Sequence, residues 1–414
     1  MREMLTGNAA AAWGVRLANV DYIPAFPVTP QTEIIETLSK WINDGVMDAK
    51  FVTMDSEHSM ITAAGAASAT GARVFTATSS QGLVYGFEML YTIAGWRVPL
   101  VMINVSRGLS SPITLEPDHN DILATRDTGF IQIHCEVCQE VMDSILIAYR
   151  LAEDERILLP VLVNMDGFHL SFTREPVELP IIEQVRKFLP AYKPNHAFFK
   201  ASQPMAQGVA VLGGYAYSYF KYQMHLASKK AIEVYREVSE EFAELFGRTY
   251  NTVETYMADD AECLLIMTNS FTTMGKAAIE RARARNIKAG LLRLRLVRPF
   301  PEADIIRFVK RAKAVAVLDQ NISIGKGGII YSDVASTLYN EKEKPVLLSF
   351  ISGLGGKNIS IEEFEFIFDS LVKAVDKGEI SPPQLLYTEA ELIEINRLKN
   401  IVGKEKHYKF ESGD

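Results

Sequence analysis

Residues 55–79 read Asp-Ser-Glu-His-Ser-Met-Ile-Thr-Ala-Ala-Gly-Ala-Ala-Ser-Ala-Thr-Gly-Ala-Arg-Val-Phe-Thr-Ala-Thr-Ser. Halfway along, the pattern changes. From Glu57 to Gly71 the residues are small and compatible with a helix; from Arg73 they are apolar and β-rich. The same alternation recurs on both sides. Gln31–Asn43 and Gln139–Ala152 have helical character, whereas Val98-Pro-Leu-Val-Met-Ile-Asn-Val105 and Arg156-Ile-Leu-Leu-Pro-Val-Leu-Val-Asn164 are short apolar runs bounded by turn residues. Such runs suit strands buried on both faces. Strand–helix alternation predicts an α/β fold, a parallel sheet covered by helices. The Ala and Gly content of the Glu57–Gly71 helix predicts close approach by another backbone or a flat ligand.

Beyond this first unit the texture changes twice. Pro176, Pro180, Pro190, Pro194 and Pro204 punctuate the chain where it travels between domains. A long helix follows, with Ile232, Val234, Tyr235, Val238, Phe242, Leu245 and Phe246 at 3–4 spacing and Gly247 as its stop. From about Asp260 a second α/β rhythm begins: strands at Ala261–Thr268, Ile287–Val297, Ala314–Asp319 and Pro345–Phe350, helices at Thr273–Asn286 and Pro301–Lys313, and a Gly325–Gly328 turn opening a helix to Tyr339. The chain therefore divides into 1–175, an α/β domain; 176–255, a Pro-rich linker and connecting helix; 256–375, a second α/β domain; and 376–414, a polar tail that packs on a neighbour or frays.

Composition bounds what such a chain can do. Its 414 residues suit two or three domains. With 48% apolar and 23% charged residues it is neither disordered, collagen-like nor coiled coil. The charge balance, 43 − 51 = −8, argues against nucleic-acid binding as the main task. Three cysteines cannot form a disulfide framework, which favours a reducing setting, and cannot alone hold an iron–sulfur cluster. No run is long and apolar enough for a membrane span, and Glu3 and Arg16 argue against a secretory signal, so a cytoplasmic location is expected.

Read locally, each candidate residue admits two interpretations. Cys135-Glu-Val-Cys138, preceded by His134, has redox or zinc-like spacing, but a structural zinc needs four ligands, which favours two buried thiols and no metal site. The Gly325–Gly328 turn is either a phosphate cradle at a helix N-terminus or a plain tight turn. Phe26-Pro-Val-Thr29-Pro30 presents a hydroxyl that caps the Gln31 helix or serves a site. Glu57, opening the small-residue helix, complements the helix dipole or is a buried functional acid. Arg107 ends a buried strand, a place for either an ion pair or bidentate grip of a carboxylate. The basic stretch Arg281–Lys313 is a solvated face, or meets a coenzyme A phosphate or an acidic ferredoxin.

Together these residues resemble a known family, the alpha subunits of 2-oxoacid:ferredoxin oxidoreductases, with the pyruvate:ferredoxin enzymes as type members. The matching motifs are Phe-Pro-Val-Thr-Pro-Gln-Thr-Glu (26–33), Asp-Ser-Glu-His-Ser (55–59), Thr-Ala-Thr-Ser-Ser-Gln-Gly (76–82), Val-Ser-Arg-Gly-Leu (105–109), Asp-His-Asn-Asp (118–121), Arg-Asp-Thr-Gly (126–129), Arg-Pro-Phe-Pro (298–301) and Leu-Asp-Gln-Asn-Ile-Ser (318–323). They run in order along nearly the whole chain.

The resemblance implies a pyrimidine-type thiamine-diphosphate-binding fold followed by a transketolase C-terminal-like domain. It implies a beta subunit supplying the diphosphate- and Mg²⁺-binding half, gamma and delta subunits carrying 4Fe-4S clusters, ferredoxin as electron acceptor and coenzyme A as co-substrate. No Gly-Asp-Gly signature of the diphosphate half occurs; Asp44-Gly45 and Asp166-Gly167 lack the leading glycine. By the same resemblance Glu57 hydrogen-bonds the cofactor's pyrimidine nitrogen and promotes its imino tautomer, and burial there raises its pKa. Arg107 engages the substrate carboxylate, assisted by the Thr29 hydroxyl, and Pro30 and Gln81 join Glu57 around the cofactor. Gly108 stands where pyruvate-type relatives usually carry alanine, leaving room for a branched or aromatic 2-oxo acid or changing nothing; Phe26 replaces a common tyrosine. Pyruvate is the first expectation, with 2-oxoisovalerate and phenylglyoxylate as alternatives. A lipoamide-coupled dehydrogenase component and a non-catalytic scaffold are the rival readings.

Overall fold

The small-residue run is a helix over Glu57–Ser68, and packing explains its composition: a Cβ at Gly65 would collide with Ile93. A computed structural model of the chain describes residues 1–194, 196, 198–208 and 210–406. The strands of the first half are β1 (Arg2–Thr6), β2 (Tyr22–Ala25), β3 (Lys50–Thr53), β4 (Val74–Thr78), β5 (Leu100–Ser106), β6 (Ile131–His134), β7 (Val161–Asp166) and β8 (Arg174–Glu178). Those of the second are β9 (Val253–Tyr256), β10 (Cys263–Thr268), β11 (Ala289–Leu294), β12 (Leu296–Arg298), β13 (Ala314–Asp319), β14 (Val346–Ile351) and β15 (Gln384–Leu385).

Seven strands form the first sheet in the order β12-β6-β7-β5-β4-β2-β3, parallel except for β12. Alternate residues of its strands enter two cores, as the two-residue period requires. Phe75, Val101 and Ile103 face the helices Gly7–Leu17 and Cys138–Ala152, whereas Val74, Leu100 and Met102 face Glu57–Ser68 and Phe87–Trp96. Strand order reverses between β2 and β4, and there the sheet opens. β2 pairs with β3 along four residues, but with β4 only at Tyr22–Val74. Pro24 has no N–H to give the ladder, and the Thr76 hydroxyl donates instead to its carbonyl at 2.8 Å.

The second sheet runs β15-β14-β13-β10-β11-β9, with only β9 antiparallel. Its reversal falls between β10 and β13. The single strand expected over Ile287–Val297 is in fact two. β11 stays in the second sheet, while β12 adds an edge to the first. The break is fixed by Arg293 and Arg295, both buried, which converge on Glu140 and Glu254. Burial opposes charge on Glu140, yet the two arginines hold its carboxyl down at about 2.

The connecting helix spans Gly214–Phe246, beginning well before the expected apolar stripe and stopping at Gly247 with φ +70°. Its early turns expose Tyr215, Tyr217, Tyr219 and Phe220, so no one-sided pattern announced them. In the tail, β15 extends the second sheet and a helix spans Glu389–Lys406. Among the described residues no helix is long and apolar enough to cross a membrane.

Candidate active site

The carboxyl ends of β2, β3, β4 and β5 lead into Phe26–Pro30, Asp55–Glu57, Ser79–Gly82 and Arg107, at the β2/β4 opening where open α/β sheets bind ligands. Arg107 is only 8% exposed. Its Nη1 donates to the Thr29 carbonyl at 2.8 Å and its Nη2 to Gln81 Oε1 at 2.5 Å. Its Nε is buried without a hydrogen-bond partner among the described residues. Burial pushes the guanidinium pKa down, against the attraction of Asp121.

Gln81 is held at both ends of its amide: Oε1 also accepts from Ser80 Oγ at 2.7 Å, and Nε2 donates one hydrogen to Ser110 Oγ at 2.8 Å, leaving its second N–H free among the described residues. It therefore shapes Arg107. Thr29 is exposed, its hydroxyl has no hydrogen bond among the described residues, and it does not cap the following helix. That helix starts at Thr32; its N-cap is Gln31, which instead donates from Nε2 to the Phe26 carbonyl at 2.8 Å. The capping interpretation of Thr29 is thereby corrected. Pro30 is buried, its carbonyl accepting from Asn8 Nδ2 at 3.0 Å and its ring wedged against Gly167.

Glu57 is the first residue of its helix, capped by Ser56, whose hydroxyl accepts from Ser59 N at 3.2 Å. The Glu57 side chain is half-buried and makes no hydrogen bond among the described residues. Its carboxyl lies over Gly82, where a Cβ would stand 2.7 Å from both Glu57 Oε1 and Thr78 Oγ1. The Thr78 hydroxyl is itself buried and without a partner. A cradle that only glycine keeps clear thus holds an uncommitted carboxyl and an uncommitted hydroxyl. That donor and acceptor set fits the polar edge of an aminopyrimidine such as thiamine's.

Two buried carboxylates that sequence reasoning did not assign organise the surroundings. Asp121 accepts from Ser80 N, Asn104 Nδ2, Ser106 Oγ, Arg107 N and Ile122 N at 2.7–3.2 Å. Desolvation pushes its pKa up to about 6. Asp166 accepts from His119 Nε2 and Asn269 Nδ2 at 2.9 Å and from Ser270 N at 3.1 Å. Asp121 lies inside the quoted 118–121 motif, but nothing local distinguished it from its neighbours.

At the other candidate positions the structure separates the two readings. The Gly325–Gly328 turn does not offer a free helix N-terminus, because Asp319 already accepts from Ile330 N at 2.9 Å and Tyr331 N at 3.1 Å. Gly328 is glycine because a Cβ would collide with that carboxylate. The space left by glycine at 108 is filled by Thr114 Cγ2 and Asp118 Oδ2, 2.6 and 3.0 Å from where a Cβ would lie. Much of the basic stretch is paired within the chain: Arg283 with Asp260, Arg285 with Asp369, Lys288 and Lys313 with Glu262, Arg298 with Asp333. Cys135 and Cys138 are buried free thiols whose pKa values burial pushes up. Among the described residues no cluster of three or more His, Cys, Asp or Glu is placed to hold a metal ion.

Residues 13–242 match the family model described as pyruvate flavodoxin/ferredoxin oxidoreductase, thiamine diphosphate-binding. Residues 261–364 match pyruvate:ferredoxin oxidoreductase core domain II. The chain is 43% identical over 381 residues to pyruvate synthase subunit PorA of Methanocaldococcus jannaschii, covering 91% of this chain and 97% of that one. It is 37% identical over 381 residues to ketoisovalerate oxidoreductase subunit VorA of Pyrococcus abyssi, covering 92% and 96%. Two solved structures share its fold. One is a 2-oxoglutarate:ferredoxin oxidoreductase from Magnetococcus marinus with 2-oxoglutarate, coenzyme A and succinyl-CoA bound (TM-score 0.67, 19% identity, 91% of this chain and 65% of that one). The other is a split-gene transketolase in an inactive beta4 tetramer (TM-score 0.53, 12% identity, 87% and 97%).

Proposed function

Because this chain belongs to the pyruvate flavodoxin/ferredoxin oxidoreductase family, we propose that it is the alpha subunit of a thiamine-diphosphate-dependent, coenzyme-A-acylating 2-oxoacid oxidoreductase. The reaction converts a 2-oxo acid and coenzyme A to acyl-CoA, carbon dioxide and a proton, and the released electron pair passes through iron–sulfur clusters to ferredoxin. Pyruvate is the assigned substrate, since relatives named pyruvate synthase reach 43% identity against 37% for the ketoisovalerate relative. The likeness to VorA keeps a branched 2-oxo acid as the second reading.

The observation that carries the proposal is an arginine tethered between Thr29 and Gln81 in the same crevice as an uncommitted carboxyl. Thiamine diphosphate, when bound, supplies the electron sink that decarboxylation of a 2-oxo acid needs and that no side chain provides. Glu57 and the Thr78 hydroxyl would hold its pyrimidine edge, with Glu57 keeping a proton on the ring nitrogen. Arg107 grips the substrate carboxylate through Nε and the remaining Nη hydrogens. Its two intrachain bonds fix the fork in advance, and burial strengthens the contact. Thr29 spends its carbonyl on Arg107 and keeps its hydroxyl for the same carboxylate. Pro30 fixes the turn bearing Thr29. Gln81 fixes the far side of the guanidinium.

The diphosphate and Mg²⁺ belong to a beta subunit, and the 4Fe-4S clusters to gamma and delta subunits. The test is the purified complex assayed with a panel of 2-oxo acids, coenzyme A and ferredoxin, and the isolated chain titrated with thiamine diphosphate. Turnover by the complex with pyruvate preferred, and weak cofactor binding by the chain alone, is expected. Indifference to every 2-oxo acid would refute the assignment.

A further inference from the structure

Five consecutive residues, Pro117 to Asp121, connect the crevice to the second domain. Four of them dock on that domain. The Pro117 carbonyl accepts from Gly356 N at 2.7 Å, and Asp118 Oδ2 from Gly355 N at 3.4 Å. His119 N donates to the Gln320 carbonyl at 2.8 Å, and Asn120 Oδ1 accepts from Ile322 N at 2.9 Å. The fifth, Asp121, makes no bond to that domain. Its carboxylate faces the first sheet, where Oδ2 accepts from both Ser80 N at 3.1 Å and Arg107 N at 3.2 Å. These are the two segments that meet again when Arg107 Nη2 donates to Gln81 Oε1.

We infer that Asp121 is a positioning residue for the substrate-gripping arginine, and that the second domain, through the 117–120 strap, holds it in register. Three features support this. Asp121 is fully buried, so it touches no substrate and acts through its neighbours. Ser80 sits at φ +49°, ψ −120°, a conformation unusual for a non-glycine residue. Such a backbone persists only where its surroundings over-determine it, and Asp121 is the side chain that receives its N–H. Finally, the strap is continuous: a shift at Gly355 or Ile322 moves the helix start that carries Asp121, and the start of Arg107 with it. The second domain is then part of the substrate clamp.

The inference rests on the reading that Arg107 binds the 2-oxo acid, so Arg107→Ala is measured beside it. In the assembled complex, Asp121→Asn is expected to raise KM for the 2-oxo acid about tenfold or more, the scale of bonds to a charged group. Thiamine diphosphate affinity is expected to fall by less than substrate affinity, since Asp121 makes no bond to Glu57 and reaches the cradle only through Ser80, between Thr78 and Gly82. Asn120→Ala removes one neutral bond and is expected to raise KM roughly three- to fivefold, again with the smaller effect on cofactor affinity. Should Asp121→Asn fail to assemble, Asn120→Ala alone decides. Wild-type KM in the variants, or cofactor affinity falling in step with substrate affinity, overturns the inference. If Arg107→Ala also leaves KM untouched, it is the arginine's assigned role that fails.

Discussion

Each of the two large sheets reverses its strand order once, and each reversal leaves a crevice beyond the carboxyl ends of its strands. The crevice between β2 and β4 is lined by groups that find no partner among the described residues: the Thr29 hydroxyl, the Glu57 carboxyl and Arg107 Nε. The crevice between β10 and β13 is plugged by the first domain. Asp166 takes up the Asn269 and Ser270 side of it, and His119 N takes the Gln320 carbonyl on the other. The helix N-terminus after β13 is likewise spent on Asp319. One topology thus serves as the proposed ligand site in one place and as a receptor for a sister domain in the other. What separates them is that the first domain's Asp166 and His119 backbone occupy the second crevice, where the Gln320 side-chain amide stays buried and without a partner among the described residues.

Breaking the plugged crevice costs stability. Asp166→Ala leaves the His119 and Ser270 donors buried and unpaired, and is expected to lower unfolding free energy by roughly 3–5 kcal/mol, read by denaturant titration of the assembled complex. A normal midpoint would show that the crevice does not hold the domains together. In the open crevice the effect falls on chemistry. Glu57→Gln is expected to cut turnover about a hundredfold, the scale of an acid–base role, while the thermal midpoint stays put because Glu57 makes no hydrogen bond among the described residues. Retained turnover would favour the scaffold reading.

The plugged crevice also carries a pH response. Burial opposes the charge on His119, but Asp166, with Asp118 and Asp121 nearby, raises its pKa above 6.5. Burial likewise opposes charge on Asp166, but the His119 partner lowers it from 3.8 to about 2. A raised histidine stabilises fully below its unfolded value and loses that contribution as pH rises through its folded value. A depressed carboxylate contributes above its unfolded value and loses it as pH falls through the folded one. The pair therefore stabilises most between about 4 and 6.5, and thermal stability is expected to decline on the alkaline side. His119→Gln should flatten that decline; an unchanged alkaline slope would remove the pair from the account. The smallest effect is expected at Gly108. Its missing methyl faces Thr114 and Asp118, so Gly108→Ala should leave the kcat/KM ratio of pyruvate to 2-oxoisovalerate within about twofold. A methyl bordering the substrate would move the ratio by roughly tenfold.

Most of the architecture was legible because periodicity is local. The Thr32–Asn43 and Cys138–Ala152 helices and the buried strands announced themselves by apolar spacing and turn residues, and the Glu57–Ser68 helix by its run of small residues. That Thr29, Glu57, Gln81 and Arg107 gather beyond strand ends was legible in the sequence; the roles proposed for them came from the family resemblance and not from the local sequence. Asp121, Asp166 and His119 were not legible, because their roles arise from contacts such as Asp166 with Ser270, 104 residues away in sequence. The β11/β12 break was hidden for the same reason: Ile287–Val297 is uniformly strand-like, and buried arginines meeting Glu140 from another helix decide where it divides. At Gly325–Gly328 the local sequence left phosphate cradle and tight turn equally open, and a carboxylate from the preceding strand, Asp319 on the helix N-terminus, decides for the turn.

The central claim is that this chain contributes the acidic half of a thiamine pocket through Glu57. It is tested most directly by proton NMR of the assembled complex, following exchange of the cofactor's thiazolium C2 proton for deuterium without substrate. Exchange slowed about a hundredfold by Glu57→Gln at full cofactor occupancy is the expected result. Equal exchange in wild type and variant, with the cofactor equally bound, would contradict it.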